Sequence, residues 1–265
     1  MPSRGFDIRM KEVFERYGAY YDLLYQDKDY EGEADYIART LRVANPTAKT
    51  ILEFGSGTGK HGRLLAERGF DVFGIERSES MVAAAKIDKR NEDAFECIQG
   101  DIRTTGIRRT FDAVLALFHV VSYQTTDSEV RQTFSNAGRH LHPGGFFFFD
   151  VWHGPAVLSV QPSVREKHVE DQSVRLMRTA EPKLDRENKI VTVRYSMVAT
   201  SKIDNQRTTF EEEHRMRYFF PDEIKAFANE AGFAIERSEE FLTSKQPSDQ
   251  TWGVAYLLVK SHLDR

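Results

Sequence analysis

The chain has 265 residues, which is enough for one large α/β domain or for one domain carrying an insertion. Its 37 basic and 41 acidic side chains give a formal charge of −4, so the composition does not favour nucleic acid as a partner. A single cysteine, Cys97, excludes an intrachain disulfide and fits a reducing compartment. The N-terminus has no signal-peptide pattern and no apolar run is long enough to cross a bilayer, so we expect a cytoplasmic protein without a membrane partner.

Large apolar residues recur at helical spacing near the start of the chain, so residues 7–25 are predicted to contain a helix with one aromatic face. That face consists of Phe14, Tyr17, Tyr21 and Leu24. A second helix is predicted over about 30–43, because Pro46 stops it. Residues 1–44 are therefore expected to form an N-terminal helical cap.

From residue 45 onward, short apolar runs alternate with helical segments. The predicted strands are 50–54, 71–75, 95–98, 111–118 and 146–151, and the predicted helices are 60–68, 78–90 and 127–141. Strands that alternate with helices predict an α/β fold with a doubly wound, mostly parallel sheet. Ligands of such sheets lie beyond the C-terminal ends of the strands. We therefore expect an α/β core over 45–152, with its binding site at the strand ends.

The segment 153–220 departs from this alternation. Three extended runs follow one another with polar turns between them, at 172–181, 189–200 and 206–219. This pattern predicts an antiparallel β lid inserted after the fifth strand. The remaining segment, 221–265, is predicted to contain one helix and two strands that complete a seven-stranded sheet.

The first predicted strand runs into a glycine-rich turn with Gly55, Gly57 and Gly59. Glycine lets a ligand approach the backbone closely, and the helix that follows directs N–H groups toward it. The dinucleotide fingerprint G-x-G-x-x-G would need a glycine where this chain has Lys60. Glu53, two residues before the first glycine, would repel a pyrophosphate but attract an ammonium group. A ligand with an adenosine and a cationic amino-acid tail, such as S-adenosyl-L-methionine (SAM), fits better than NAD.

At these residues the chain resembles the class I SAM-dependent methyltransferases, whose fold is a Rossmann-like sheet. Glu76 lies about 20 residues after the first glycine, the spacing at which an acid can accept both ribose hydroxyls. The resemblance implies that Asp101 and Ile102 meet the adenine, although Asp101 also fits an ordinary turn residue. The cofactor-binding residues expected in this way are Tyr25, Glu53, Gly55, Ser56, Gly57, Gly59, Glu76, Arg77, Asp101, Ile102 and Leu117.

Further resemblances concern the methyl acceptor. The segment from Tyr21 to Tyr25 is similar to a Tyr-Asp-Leu-x-Tyr segment that reaches the SAM site in sugar N-methyltransferases, although it also fits a helix face that covers the core. Tyr123 matches a position where those enzymes carry a ring that can hydrogen-bond the substrate. Glu213-His214-Arg215 resembles the charged strand that they place over the sugar nucleotide, and a solvated strand face is the alternative.

Methyl transfer from a sulfonium requires alignment of the nucleophile and removal of its proton. The candidate catalytic residues are Tyr123, His119 and His214, and no metal site is expected. The resemblance favours methylation of the amine of an amino sugar carried on a nucleotide, by a monomer or a homodimer. An O-methyltransferase acting on a sugar or small hydroxylated metabolite, and a non-catalytic SAM-binding protein, remain open alternatives. An NAD(P)-dependent oxidoreductase is disfavoured by Glu53 and Lys60 and by the absence of a Tyr-x-x-x-Lys pair.

Overall fold

The computed structural model describes residues 14, 16–87 and 95–261. The strands are β1 Thr50–Phe54, β2 Asp71–Glu76, β3 Phe95–Gln99, β4 Phe111–Ala116, β5 Leu141–His153, β6 Arg165–Glu170, β7 Val174–Asp185, β8 Ile190–Ser201, β9 Arg207–Phe219, β10 Phe233–Glu240 and β11 Gly253–Lys260. The α-helices are α1 Tyr21–Leu24, α2 Tyr30–Ala44, α3 Lys60–Glu67, α4 Glu79–Ile87, α5 Asp127–Arg139, α6 Gly154–Val160 and α7 Pro221–Glu230. None of the helices in these ranges is long and apolar enough to cross a membrane.

The core sheet has the strand order β3-β2-β1-β4-β5-β11-β10. Strands β1 to β5 are parallel, whereas β11 runs antiparallel to both of its neighbours. The predicted fold class, a mostly parallel seven-stranded sheet with an antiparallel lid, is therefore confirmed. The C-terminal ends of β1 to β5 meet at one edge of the sheet, which is where ligands bind in this architecture.

Strand β5 lies in the middle of the core because its apolar residues are buried on both faces of the sheet. Phe147 and Phe149 pack on one face with Phe134 of α5, while Phe146 and Phe148 pack on the other, in the cluster that includes α2. A strand buried in this way is rigid. The polar residues that follow the phenylalanines are consequently held in fixed positions at the ligand edge.

The lid consists of the antiparallel strands β6 to β9 and continues the core sheet, since β9 pairs with β5 at Trp152 and His153. The predicted three runs correspond to β7, β8 and β9. Strand β6 and helix α6 were not predicted. The sequence of β6, Arg-Glu-Lys-His-Val-Glu, has no clear apolar alternation because it is an edge strand with mostly exposed side chains.

The N-terminal region differs from the predicted long helix. It forms a 3₁₀ helix over Tyr17–Tyr20 followed by the single turn α1, and residues 7–13 of the predicted helix lie outside the described residues. Tyr17 and Leu24 are buried against Leu176, Met197 and other apolar residues of the lid. The aromatic face therefore packs on the lid, which fixes the segment between the lid and the core.

Candidate active site

The glycine-rich turn connects β1 to α3 and has three glycines with positive φ angles, +67° at Gly55, +56° at Gly57 and +81° at Gly59. A Cβ at Gly59 would lie 2.5 Å from the ring of Phe95, so packing as well as backbone conformation requires glycine there. A Cβ at Gly57 would have only the sulfur of Met81 nearby, at 3.9 Å. The backbone at Gly57 is therefore open to a ligand, as a cofactor-binding turn requires.

Glu53, the last residue but one of β1, is a buried carboxylate with only 1% of its surface exposed. Its Oε2 has no hydrogen-bond partner within the ranges given above. Burial and the neighbouring charge of Glu76 raise its pKa to about 8, although the guanidinium of Arg63 acts in the opposite direction. A buried carboxyl with an unsatisfied oxygen suits a cationic ligand, because an ammonium group would supply the missing donor and charge.

Glu76 ends β2 and is tied to the glycine turn. Its carboxylate accepts hydrogen bonds from the backbone N–H groups of Gly57, at 2.8 Å, and Ser78, at 2.7 Å. Burial raises its pKa, and these backbone hydrogen bonds only partly oppose that shift. A carboxylate has about four lone-pair positions, so these two bonds leave capacity for ribose hydroxyls. The position agrees with the role expected from the spacing.

The side chains of several other predicted cofactor residues are packed inside the core. The hydroxyl of Ser56 lies 3.3 Å from the sulfur of Cys97 inside the core, and Ile102 and Leu117 are buried in the two core clusters. Their side chains serve packing, so only their backbone groups remain for a ligand. Arg77 is half-buried, and its carbonyl accepts a hydrogen bond from the side chain of Gln99.

The position of Asp101 is compatible with both roles that the sequence left open, a contact with the adenine and an ordinary turn residue. Its carboxylate forms an ion pair with the guanidinium of Arg103, at 2.6 Å, and accepts the backbone N–H of the same residue. Burial would raise its pKa, but Arg103 outweighs that effect and holds the pKa of this carboxyl below its usual range. The residue therefore stabilises the turn after β3, and as a charged acceptor it can still accept a further N–H donor.

Replacing Glu76 with alanine is expected to weaken SAM binding by at least tenfold. Hydrogen bonds to a charged acceptor contribute about 1.5–3 kcal/mol each, and about 1.4 kcal/mol corresponds to a tenfold change in Kd. Isothermal titration calorimetry with SAM measures the change. Glu79→Ala, an exposed glutamate at the start of α4, is the matched control and should bind like the wild type. Unchanged affinity in Glu76→Ala would remove this residue from the site.

The end of β4 carries two consecutive non-glycine residues with left-handed backbones, Phe118 with φ +61° and His119 with φ +64°. Such conformations are uncommon and persist where the surroundings impose them. Here the N–H of His119 donates to Asp150 Oδ2 at 3.1 Å, and the Nδ1 of its ring lies 2.6 Å from the same oxygen without the geometry of a hydrogen bond. The imidazole is therefore held beside a carboxylate.

Asp150 was not among the predicted site residues. It lies on β5 and is almost fully buried, and its Oδ1 has no hydrogen-bond partner in the described ranges. Burial opposes ionisation, yet the ring and N–H of His119 hold the pKa of Asp150 below its usual range. The available signal was an aspartate directly after four phenylalanines of a buried strand, a position that apolar packing alone does not explain.

Tyr123 and His214 are brought together, although they come from the core and the lid. The hydroxyl of Tyr123 lies 2.9 Å from His214 Nδ1, and His214 Nε2 lies 3.3 Å from Glu212 Oε2. Burial raises the pKa of Tyr123 well above its usual value, so its hydroxyl stays protonated and can donate to Nδ1. The Nε2–H of His214 then donates to Glu212, and the tyrosine oxygen keeps lone pairs for a substrate.

Only part of the predicted charged segment, Glu213-His214-Arg215, lies on the buried face of β9. His214 is buried, whereas Glu213 and Arg215 are exposed on the opposite face of β9, as strand alternation requires. The partner of His214 is Glu212, which the sequence reasoning missed. Burial opposes ionisation of Glu212, but His214 and the backbone N–H groups of Tyr17 and Phe14 hold its pKa below the usual range.

Tyr25 lies between the glycine turn, the end of β4 and the lid. Its ring centroid is 5.1 Å from that of Phe118, and its hydroxyl is 3.2 Å from that of Tyr17. The same segment reaches the glycine turn through Asp22, whose Oδ1 accepts from the Thr58 hydroxyl at 2.9 Å. The N-terminal segment therefore contacts the glycine turn, the end of β4 and the lid, and the role of Tyr25 in cofactor binding stays a prediction.

Part of the chain matches a known protein family. Residues 51–145 match a family described as a methyltransferase domain. A dTDP-3-amino-3,4,6-trideoxy-alpha-D-glucopyranose N,N-dimethyltransferase of Streptomyces venezuelae is 36% identical over 137 residues, which are 51% of this chain. The matched part spans only about half, 56%, of the length of that enzyme.

Two further similarities extend over most of the chain. A dTDP-3-amino-3,6-dideoxy-alpha-D-glucopyranose N,N-dimethyltransferase of Streptomyces fradiae is 29% identical over 82% of this chain and 83% of its own length. The solved structure of SAM-bound CalS10, an amino pentose methyltransferase from Micromonospora echinaspora, is 24% identical and superposes with a TM-score of 0.74. That superposition covers 94% of this chain and 98% of CalS10. At this level of identity it shows the shared fold.

Proposed function

We propose that this chain is a class I SAM-dependent methyltransferase and that it transfers a methyl group to the amine of an amino sugar carried on a nucleotide. The observation that carries the proposal is His119, which follows β4 and is held beside the buried carboxylate of Asp150 at the ligand edge of the sheet. An amine must lose a proton to act as a nucleophile, and an imidazole beside a carboxylate can accept it. The names of the two dimethyltransferase relatives support the acceptor class.

In this proposal the cofactor is held by the ends of β1 to β3. Glu53 pairs with the ammonium group of the cofactor, Glu76 accepts the ribose hydroxyls, and Asp101 with the N–H of Ile102 recognises the adenine. The open backbone at Gly57 permits close approach of the ligand. When bound, SAM supplies a methyl group activated by its attachment to a sulfonium.

The acceptor is proposed to bind between the end of β4 and the inner face of the lid, which is formed within residues 153–220. Tyr123 is suited to position it, because its hydroxyl donates to His214 and leaves its oxygen free to accept an N–H of the substrate. Glu212 fixes the ring of His214 from the other side. His119 then takes the proton of the amine, and Asp150 stabilises the positive charge that the imidazole gains.

Exclusion of water is the remaining requirement, since alignment and a dry site provide much of the acceleration in displacement reactions. Tyr25, Tyr21 and Phe118 form an aromatic cover, with the Tyr25 ring 4.8 Å from that of Tyr21 and 5.1 Å from that of Phe118. Two of these rings belong to the N-terminal segment and the third follows β4, so the segment covers this end of the strand.

The test is a transfer assay with methyl-labelled SAM and a panel of dTDP-amino sugars, each paired with the analogue that has a hydroxyl in place of the amine. We expect the label on nitrogen and no label in the hydroxyl analogues. Label on oxygen would identify an O-methyltransferase instead. Tight SAM binding without transfer to any member of the panel would contradict the proposed acceptor class.

A further inference from the structure

The inner face of the lid is mostly apolar where the N-terminal segment packs on it. The register of β7, β8 and β9 places Arg178, Met197 and Phe210 side by side on this face, with Leu176 and Ala199 in the next row. Arg178 is therefore a cation whose neighbours on β8 and β9 in these two rows, Met197, Phe210 and Ala199, are apolar. A charge in such a position is costly unless a counter-charge reaches it.

Arg178 is held by hydroxyl groups and a ring instead of a carboxylate. Its Nη1 donates to the hydroxyl of Tyr17 at 3.0 Å and approaches that of Tyr25 at 3.4 Å, and its guanidinium carbon lies 5.1 Å from the ring centre of Tyr195. Its Nε is buried and has no hydrogen-bond acceptor among the described residues. Neither does any carboxylate of those residues form an ion pair with it.

A second cation lies directly opposite. Lys167 of β6 is the register partner of Arg178 on β7, and its ammonium group lies 5.8 Å from the ring centre of Tyr25. Like charges opposite each other on neighbouring strands are destabilising. Lys167 is paired with the exposed carboxylate of Asp27 at 2.6 Å, so its charge is compensated, whereas Arg178 has no such ion pair among the described residues.

Arg63 donates to the backbone carbonyl of Thr58, whereas two other arginines with little exposed surface have acidic partners. Arg217 of β9 pairs with Asp127 at 2.8 Å and with Glu223 at 2.9 Å. Arg103 pairs with two carboxylates in the same manner. The contrast indicates that the positive charge of Arg178 is reserved for a ligand.

We propose that Arg178, together with the hydroxyls of Tyr17 and Tyr25, binds a phosphate group of the nucleotide carried by the methyl acceptor, an inference that rests on the proposed function. The planar guanidinium suits phosphate oxygens, and the tyrosine hydroxyls can turn to donate to them. The location is suitable because the ring of Tyr25 contacts Phe118, the neighbour of His119. A phosphate at Arg178 would therefore anchor the acceptor with its sugar directed toward the end of β4.

The experiment is calorimetric titration of the protein saturated with S-adenosylhomocysteine, using dTDP as the charged probe and thymidine as the neutral one. The wild type is expected to bind dTDP more tightly than thymidine. Arg178→Met should weaken dTDP binding by at least tenfold without affecting thymidine, and Arg178→Lys should retain part of the preference. The control is Arg175→Met, an exposed arginine on the opposite face of β7, which should bind dTDP normally.

A second set of titrations tests whether Arg178 binds the phosphate of the acceptor or the carboxylate of the cofactor. S-adenosylhomocysteine and methylthioadenosine, which lacks the amino-acid group, are titrated into each variant. If Arg178→Met weakens only S-adenosylhomocysteine, the cofactor carboxylate is the anion and the inference is overturned. Equal dTDP affinity in a folded Arg178→Lys or Arg178→Met protein overturns the inference as well. A wild type that transfers methyl groups to amino sugars yet shows no preference for dTDP over thymidine also overturns it. Failure of the transfer assay alone would instead count against the proposed function.

Discussion

Replacing Glu53 with glutamine is expected to weaken SAM binding by about ten- to a hundredfold at pH 9 and to remove most of its pH dependence. The carboxylate offers a charged acceptor to the ammonium group of the cofactor, and charge-assisted hydrogen bonds contribute about 1.5–3 kcal/mol. Glutamine keeps the shape of the side chain but not the charge. Calorimetric titration with SAM between pH 6 and 9 measures both effects.

The sign of the pH dependence follows from the pKa of Glu53, which is about 8 in the free protein. Below that pH the carboxyl is mostly protonated, and pairing with an ammonium requires it to release the proton. SAM affinity should therefore increase by up to tenfold per pH unit as the pH rises toward 8 and level off above it. Titrations at pH 7 in buffers with different ionisation enthalpies should show release of close to one proton.

The raised pKa of Glu53 also affects the stability of the ligand-free protein. The folded-state pKa of about 8 lies above the ordinary glutamate value of 4.5, so between these values the folded form binds the extra proton. The contribution of Glu53 to the free energy of unfolding should thus decrease as the pH rises from about 4.5 to 8 and then remain constant. Glu53→Gln should lessen this decline in thermal unfolding experiments, whereas Glu96→Gln, an exposed glutamate of β3, should not. A wild-type SAM affinity that is flat with pH would contradict the assignment.

The prediction of the cofactor side of the site rests on signals that are local in sequence. Glu53 and the glycines lie within one turn, and Glu76 follows at the end of the next strand, so strand alternation alone places them at one edge of the sheet. The acceptor side could not be predicted in this way. Asp150 meets His119 only because β4 and β5 are neighbours, and no spacing rule relates the two positions.

The lid shows a second limit of prediction from sequence, which is to tell which face of a strand points inward. Glu211, Glu212 and Glu213 precede His214 on β9, and both faces of this part of the strand carry charged residues. A shift by one residue exchanges the two faces, so the pattern alone does not tell whether the face of Glu212 and His214 or the face of Glu211 and Glu213 points inward. Packing of the N-terminal segment decides it, since Glu212 accepts backbone N–H groups from Phe14 and Tyr17.

Glu212 consequently connects the two sides of the cleft. It orients His214, which contacts Tyr123 on the acceptor side, and it holds the segment whose Tyr25 covers the end of β4. The same segment is tied to the glycine turn through Asp22 and Thr58. One carboxylate with little exposure to solvent therefore contacts both the N-terminal segment and the residues proposed to hold the acceptor.

Replacing His119 with glutamine is expected to lower kcat by about a hundredfold or more while leaving the Kd for SAM close to that of the wild type. General-base catalysis contributes about 10²- to 10⁴-fold, and Glu53 and Glu76, not His119, are proposed to hold the cofactor. Asp150→Asn should lower kcat to a smaller extent, because the imidazole remains but loses the charge that stabilises its protonated form. Steady-state kinetics with labelled SAM and a dTDP-amino sugar provide kcat, and calorimetry provides the Kd.

The control for this substitution is His142→Gln, since His142 is an exposed histidine at the opposite end of β5 and should have no effect on turnover. Tyr123→Phe breaks the contact with His214 and should reduce kcat less than His119→Gln, again with SAM affinity retained. The comparison separates the two sets because no side-chain hydrogen bond of the described residues joins them. Full activity in His119→Gln together with a large loss in His214→Gln would transfer the role of proton acceptor from His119 and Asp150 to the chain of Tyr123, His214 and Glu212.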